Sequence, residues 1–201
     1  MIIADKAGMG KTTVLTHLSK RINQKYPVHW LVRINLNDYT ELLKDHKGKK
    51  IDKGTVLEFV PKEVLNLESH LAKELFKKCF KGNGNSKVVV MVDGFDEISP
   101  IHKETVLEML QVLKQTSLEQ LWVTTRPQLK EELEDNLQQL SYTLQPFSED
   151  EQVEFLKKFW PENLKFEVTN QYRLQIYAKA LITKLAHSIS DKDKEFTGIP
   201  L

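Results

Sequence analysis

Apolar runs alternate along this chain with segments in which apolar residues recur at helical spacing. The runs predict β-strands, and the segments between them predict α-helices. We expect strands at about Ile2–Ala4, Trp30–Leu36, Val88–Val92, Leu121–Thr125 and Ser141–Leu144. Helices are expected near 11–25, 54–80, 101–116 and 128–137. Strands that alternate with helices favour right-handed crossovers and a parallel sheet, which is an α/β fold.

The pattern changes after Pro146, where no further strand is predicted. Two helices are expected there, near 148–160 and 168–188. Ser148 with Glu151 three residues later is typical of a capping box at the first of these helices. The sequence therefore predicts an α/β core over residues 1–146 and a small helical subdomain over residues 147–201.

Composition excludes several classes of protein. Of 201 residues, 40% are hydrophobic and 28% are charged, which is ordinary for a soluble chain with a core. The net charge of +1 gives no global electrostatic case for nucleic-acid binding. No apolar run approaches the roughly 20 residues that a membrane span needs. Cys79 is the single cysteine, which fits a reducing compartment, so a cytoplasmic location is expected.

Three further patterns bear on organisation. The segment 44–53 is rich in lysine, but Asp45 and Asp52 interrupt it, so a solvated loop is favoured over an anion patch. The six histidines show no metal-ligand spacing. The chain starts inside a predicted strand and ends on residues that read as mid-domain, so we expect a fragment of a longer protein.

The loop after the first strand has the composition of a phosphate-binding turn. Residues 5–13 read Asp-Lys-Ala-Gly-Met-Gly-Lys-Thr-Thr and lead into a predicted helix. Such a turn directs backbone N–H groups and the helix N-terminus at phosphate. Lys11 would reach the β and γ phosphates, and the Thr12 hydroxyl would ligate Mg²⁺. The predicted nucleotide-binding residues of this loop are Ala7, Gly8, Met9, Gly10, Lys11, Thr12 and Thr13.

Asp5 departs from the general motif, which has glycine at this position. Aspartate tolerates the left-handed conformation better than most residues, so the turn is expected to form. Its negative charge near phosphate predicts weaker binding. The alternative interpretation is a glycine-containing turn without a ligand, but strand, loop and helix follow one another in the order that the motif requires.

A second motif follows the apolar run Val88–Val92, which suits a central parallel strand buried on both faces. The next residues are Asp-Gly-Phe-Asp-Glu. A carboxylate at the end of such a strand lies where α/β sheets bind ligands, so Asp93 is the predicted Mg²⁺ partner. Glu97 is the first candidate for the general base and Asp96 the second. The alternative is a turn at Asp93 followed by acids that cap the next helix.

Arg126 follows the predicted strand Leu121–Thr125. An arginine at the carboxyl end of a strand, in the same crevice, can sense or stabilise a γ-phosphate. The spacing is equally compatible with a surface arginine that pairs with Glu131 or Glu132.

Together, residues 7–12, 93–97 and 125–127 resemble the motifs of NACHT domains, which are ATPase modules of the STAND signalling class found in innate-immune receptors and related proteins. The Asp-Gly-x-Asp-Glu form is the specific part, because most P-loop ATPases place the acidic base directly after the metal-binding aspartate. Residues 144–151 resemble the start of the helical subdomain of that family, and residues 198–201 resemble its Gly-x-Pro element.

The resemblance implies a P-loop NTPase fold, with a three-layer parallel sheet of strand order 5-1-4-3-2 and a small helical subdomain. It implies ATP or ADP and Mg²⁺ as ligands. The roles it implies are phosphate binding by Lys11, Mg²⁺ binding by Thr12 and Asp93, hydrolysis by Glu97 or Asp96, phosphate sensing by Arg126 and contact with the base by Pro200.

The predicted function is an ATP-binding, slowly hydrolysing switch that controls self-association or signalling of a larger protein. Hydrolysis is expected to be slow, because no second arginine is evident to neutralise transition-state charge. The expected partners are nucleotide, further copies of the module and partners of flanking domains, with no membrane and no direct nucleic-acid signal. The alternative is a degenerate, non-catalytic interaction scaffold in which Asp5 has impaired the loop.

Overall fold

The computed structural model describes residues 1–46, 48–84, 86–163 and 171–188. Within these residues five strands form one parallel sheet. They are β1 (Ile2–Ala4), β2 (Trp30–Asn35), β3 (Val88–Asp93), β4 (Gln120–Thr125) and β5 (Ser141–Tyr142). The strand order is β2-β3-β4-β1-β5, which read from the other edge is 5-1-4-3-2. The α/β fold with its parallel sheet is therefore confirmed.

Helices connect the strands and continue beyond the last of them. They are α1 (Lys11–Lys25), α2 (Thr40–His46), α3 (Lys53–Phe59), α4 (His70–Phe80), α5 (Pro100–Lys114), α6 (Lys130–Leu137), α7 (Glu149–Asn163) and α8 (Gln171–Ser188). Short 3₁₀ turns lie at Leu36–Tyr39 and Pro127–Leu129. The first residues of the helix predicted near 168–188 lie outside the described part of the chain.

The single helix predicted over 54–80 is wrong. Helix α3 ends at Phe59, a π-helical turn follows at Val60–Val64, and α4 begins only at His70. Pro61 lacks an N–H group and is buried in this turn, and Asn66 adopts a left-handed backbone with φ of +48°. Both residues oppose a continuous α-helix, because helix propagation needs every N–H group and right-handed angles.

Helix α2 was not predicted, and Lys44, which we assigned to a loop, lies within it. The helix has only seven residues, so its apolar periodicity is weak. Leu43 is 2% exposed and packs into the hydrophobic core. Tertiary packing rather than local sequence pattern therefore accounts for this helix.

The core lies on both faces of the sheet around β3. The first five residues of β3 are all buried, as expected for a central parallel strand. Apolar side chains of α5 and α4 pack against the sheet, with Leu110 and Phe76 fully buried. Trp30 of β2 meets Phe76 edge to face at 5.4 Å between ring centroids. This rigid sheet fixes the strand ends on which the site is built.

Contacts divide the chain into two compact units. The first consists of Met1–Lys6 with Lys11–Thr143, and the second of Ala7–Gly10 with the residues from Leu144 onward. In the second unit α7 and α8 enclose a small apolar cluster around Val153, Ala178 and Ile182. No helix within the described residues is long and apolar enough to cross a bilayer.

The expected capping box is present at the start of α7. The Ser148 N–H donates to Glu151 Oε2 at 2.8 Å, and the Glu151 N–H donates back to Ser148 Oγ at 3.4 Å. The bond from the Ser148 N–H holds the pKa of the Glu151 carboxyl below its usual value. These reciprocal bonds satisfy backbone donors that the first helical turn leaves open.

Candidate functional site

The carboxyl ends of β1, β3 and β4 meet at one edge of the sheet, because the strands are parallel and adjacent in the order β3-β4-β1. Ala4 pairs with Thr125, and Val92 pairs with Val123. The segments that follow these strands therefore start from a common edge. They carry Lys11, the acidic residues from Asp93 to Glu97, and Arg126.

Lys11 is the first residue of α1 and is anchored by the loop that precedes it. Its ammonium group donates to the carbonyl oxygen of Asp5 at 2.6 Å and to that of Lys6 at 2.8 Å. A helix N-terminus presents unpaired N–H groups and the positive end of the helix dipole. The anchored cation therefore adds to a positive potential at the start of α1, which favours an anionic ligand.

Two positions of the loop have backbone angles that favour glycine. Gly8 has φ of +80° and Gly10 has φ of +81°, angles that strain any residue with a Cβ atom. Asp5 is different, because it does not adopt the left-handed conformation. The glycine that the general motif has at position 5 is therefore not required here for its backbone angles.

The Asp5 carboxylate is buried and turned towards its own backbone. Its side chain accepts a hydrogen bond from the Lys6 N–H at 2.8 Å, and the residue is 8% exposed. Its own N–H donates to the carbonyl oxygen of Thr125 at 3.1 Å, which extends the pairing of β1 with β4. Asp5 therefore fits without backbone strain, but its carboxylate uses the Lys6 N–H, which is one donor of the loop.

Thr12 and Thr13 lie in the first turn of α1, and both side chains are exposed. The Thr12 carbonyl accepts from the Thr16 hydroxyl at 2.8 Å, as the helix continues. Hydroxyl groups at the first turn are free to face a ligand at the helix N-terminus. The contacts of these hydroxyl groups with Mg²⁺ and the α-phosphate stay predictions.

Asp93 ends β3 and is held from the neighbouring strand. The Thr124 hydroxyl donates to Asp93 Oδ1 and accepts from the Gly94 N–H at 3.1 Å. The Thr124 carbonyl oxygen accepts from the Phe95 N–H at 3.2 Å. A single residue of β4 therefore fixes the start of the acidic loop through three hydrogen bonds.

Glu97 is exposed, and its position is set by a turn and by an amide. Its N–H donates to the Gly94 carbonyl at 2.9 Å, and its Oε2 accepts from Asn37 Nδ2. A Cβ atom on Gly94 would lie 3.3 Å from the same carboxylate oxygen, so the Glu97 side chain lies directly over this glycine. The carboxylate is thus oriented and remains open to solvent.

Asp96 forms an ion pair with Arg126, with 2.7 Å between Oδ2 and Nε. The Asp96 side chain is 7% exposed and the Arg126 side chain 48%. Arg126 therefore does not pair with Glu131 or Glu132 as the surface interpretation has it, and Glu132 instead pairs with Lys103. The pair joins the end of β4 to the acidic loop.

The described residues supply few ligands for a metal ion. No group of three or more His, Cys, Asp or Glu side chains within them is arranged to hold one. Mg²⁺ is commonly bound through one or two carboxylates, water and the phosphates of a substrate. Asp93, with the Thr12 hydroxyl in the first turn of α1, fits this donor set. Pro200, the predicted contact with the base, lies outside the described residues.

Three polar residues at this edge were not among the predicted site residues. Thr124 holds Asp93, Asn37 holds Glu97, and Asn35 pairs in register with Asp93 and bonds to Asp38 at 3.3 Å. Polar residues at the ends of buried strands are the sequence signal that would have found them. The partners of Thr124 and Asn37, however, follow only from the order and register of the strands.

Comparison with solved structures identifies the fold class. The structure of Drosophila ORC bound to DNA matches with a TM-score of 0.63 at 11% identity, over 98% of this chain and 52% of that chain. The Aeropyrum pernix ORC1 protein in complex with DNA matches with a TM-score of 0.50 at 13% identity, over 98% and 51%. The chain spans about half the length of these proteins. Such identities show the fold alone, which is that of P-loop NTPases.

Comparison with protein families is more specific. The model of the NACHT domain matches residues 43–163, which is more than half of the chain. The chain therefore belongs to the NACHT family, and its fold is that of a nucleotide-binding module. No curated protein sequence shows significant similarity to it.

Proposed function

We propose that this chain is a nucleotide-controlled switch module that binds ATP or ADP with Mg²⁺ and hydrolyses ATP slowly. One observation carries the proposal. The edge of the sheet that bears the anchored Lys11 ammonium at the start of α1 also bears the carboxylates of Asp93 and Glu97. A phosphate-binding cation and metal-binding acids on one sheet edge are the requirements of phosphoryl transfer.

In this proposal the loop residues Ala7–Gly10 offer backbone N–H groups to the phosphates, and Lys11 contacts the β and γ phosphates. Thr13 contacts the α phosphate, and Thr12 and Asp93 hold Mg²⁺. The metal supplies neutralisation of phosphate charge when it is bound. Pro200 keeps its predicted contact with the base as a proposal, since it lies outside the described residues.

Glu97 is the proposed general base. Its carboxylate is exposed, and a neutral amide group orients it, so a water molecule can approach. Asp96 is less suited, because its buried carboxylate is engaged with a guanidinium group. We assign Asp96 the role of orienting Arg126, whose remaining N–H donors are available for the γ-phosphate.

The switch acts by coupling the nucleotide state to self-association or signalling of a larger protein. A ligand shifts a conformational equilibrium only by its difference in affinity for the two states, so ATP and ADP must be distinguished at the γ-phosphate. Arg126 and Glu97 are the residues placed to make that distinction. A neighbouring copy supplies the further arginine that faster hydrolysis requires.

A degenerate scaffold is the competing function, and one observation favours it. The Asp5 carboxylate accepts from the Lys6 N–H, so one donor of the loop is already satisfied and a negative charge lies beside it. A phosphate group approaching this loop meets both disadvantages. The scaffold interpretation predicts that the fold persists without measurable nucleotide binding.

A single-turnover assay separates the two functions. Protein in excess is mixed with labelled ATP and Mg²⁺, and ADP formation and retained label are followed for the wild type, Lys11→Ala and Lys20→Ala. Lys20 is an exposed lysine of the same helix and serves as the matched control. We expect ADP from the wild type and the control and none from Lys11→Ala. Absence of both retained label and ADP in the wild type favours the scaffold and counts against the switch.

A further inference from the structure

Thr124 is distinguished from the other threonines of the site by its burial and its bonding. It is fully buried within β4, between β3 and β1. Its hydroxyl lies between two groups of the acidic loop, the Gly94 N–H at 3.1 Å and Asp93 Oδ1. Gly94 is itself buried and has φ of +82°. The hydroxyl therefore links a left-handed backbone position, which glycine adopts readily, to the carboxylate beside it.

The direction of these two bonds is determined by chemistry. A backbone N–H only donates, so the Thr124 oxygen accepts from Gly94. The single hydroxyl proton is then free for Asp93, whose ionised carboxylate only accepts. Consecutive bonds of this kind polarise one another, and in a buried setting they hold the acceptor more firmly than one bond does.

We propose that Thr124 is a positioning residue that orients the Asp93 carboxylate for Mg²⁺, which rests on the proposed function. The hydroxyl engages Oδ1, so it fixes the rotation of the carboxylate about its terminal bond. Without that bond the carboxylate can rotate about its terminal bond. Binding of Mg²⁺ then includes the entropic cost of ordering it. Thr124 touches neither nucleotide nor metal in this role, because it acts through Asp93.

The chain offers a matched control in the next residue. Thr125 lies in the same strand and is equally buried, yet its hydroxyl has no hydrogen-bond partner within the described residues. Replacing either threonine by valine removes a buried hydroxyl and keeps the shape. Only Thr124→Val removes a hydrogen bond to Asp93. A difference between the two variants therefore reports the orientation of Asp93, and a change common to both reports the loss of a buried hydroxyl from β4.

The test is the affinity for ADP, measured by titration calorimetry in excess Mg²⁺ and again in excess EDTA. ADP is used because hydrolysis does not consume it. The ratio of the two affinities reports the metal contribution alone. We expect Thr124→Val to lower this ratio by about tenfold or more, as loss of groups that orient metal ligands commonly does. The affinity in EDTA and the ratio for Thr125→Val should match the wild type.

Two conservative replacements give a graded change in this affinity ratio. They also keep the proposal testable if Thr124→Val does not fold. Thr124→Ser keeps the hydroxyl and should retain the wild-type ratio. Thr124→Cys offers a weaker donor of similar size and should give an intermediate ratio. In an Asp93→Ala background Thr124→Val should cause no further change in the ratio, because the group through which it acts is gone.

The outcomes are distinguishable. An unchanged ratio in Thr124→Val, or an equal loss in Thr125→Val, overturns the role of Thr124. A wild type that binds ADP with no Mg²⁺ dependence overturns this role and leaves nucleotide binding in place. A wild type that binds no ADP overturns the proposed function and the positioning role together.

Discussion

Glu97 and Asp96 are adjacent in the chain but differ in their electrostatic surroundings. The Asp96 carboxylate is buried and already engaged in an ion pair with the guanidinium of Arg126. Glu97 accepts a hydrogen bond from the neutral amide of Asn37 and is open to solvent. A water molecule can therefore reach the Glu97 carboxylate more readily than that of Asp96, although both residues are carboxylates.

Replacing Glu97 by glutamine tests this difference. We expect Glu97→Gln to bind ATP with nearly the wild-type affinity and to lose turnover by about a hundredfold or more, as loss of a general base commonly does. The measurement is single-turnover ADP formation beside equilibrium binding. Glu131→Gln, at an exposed position of α6, is the control and should behave as the wild type. Unchanged turnover in Glu97→Gln would move the base role to Asp96.

Asp5→Gly should tighten nucleotide binding. The change removes a negative charge beside the phosphates and frees the Lys6 N–H, and glycine fits the observed backbone. We expect a gain of about threefold to tenfold in ATP affinity, the scale of one screened charge near a surface. Asp5→Asn keeps an acceptor for the Lys6 N–H and isolates the effect of charge. Weaker binding in Asp5→Gly would show that the Asp5 carboxylate supports the loop.

The sequence predicted the acids and the lysine of the site but not the groups that hold them. Lys11, Asp93 and Glu97 belong to motifs with fixed spacing, so a single chain reveals them. Thr124 and Asn37 act across strands, and their partners depend on strand order and register. The spacing of residues along the chain reveals neither strand order nor register, because each partner lies dozens of residues away.

At the scale of single elements, helix α7 begins with a capping box that responds to pH. Hydrogen bonds from Ser148 lower the pKa of the Glu151 carboxyl, so folding weakens proton binding there. The stabilisation is therefore present above the ordinary glutamate pKa of about 4.3 and is lost as the pH falls through the lowered value. Acid should loosen the start of α7 through this group.

The Ser148→Ala variant tests the box directly. We expect the pKa of Glu151 to rise toward its ordinary value, because the Ser148 hydroxyl no longer donates to the carboxylate. The measurement is a titration followed by NMR of the glutamate carboxyl carbons. Glu154, further along α7 and bonded to Lys157, provides the internal control and should keep its lowered pKa. An unchanged pKa at Glu151 would show that the backbone bond of residue 148 alone sets it.

Strands were predicted more closely than helices, and the reason is physical. A buried parallel strand is a dense apolar run, and all five predicted strands agree with the structure within two residues. The region 54–80 carries enough apolar residues for one helix, but a π-helical turn that contains Pro61 and the left-handed Asn66 interrupt it. That proline was visible in the sequence, whereas the short α2 depends on packing that local periodicity does not contain.

At the scale of the whole molecule, the proposed ligand should stabilise the fold. A ligand that binds only the folded chain raises the free energy of unfolding by about 2.7 kcal/mol at a concentration of 100 times its Kd. We expect Mg²⁺ with ADP to raise the thermal midpoint of the wild type and of Lys20→Ala. Lys11→Ala should show no rise, and an equal rise in that variant would place the ligand elsewhere.

The position of β1 in the sheet has a consequence for synthesis of the chain. Ile2 lies between strands that contain Val123 and Ser141, so β1 has neither of its neighbours in this sheet until β4 has been synthesised. Ribosomes add roughly 5–20 residues per second, so this strand waits for about ten seconds. The backbone of β1 lacks its partners in the sheet during that time. The strand end that precedes Lys11 is fixed only when β1 pairs with β4, so the proposed phosphate site is complete only late in synthesis.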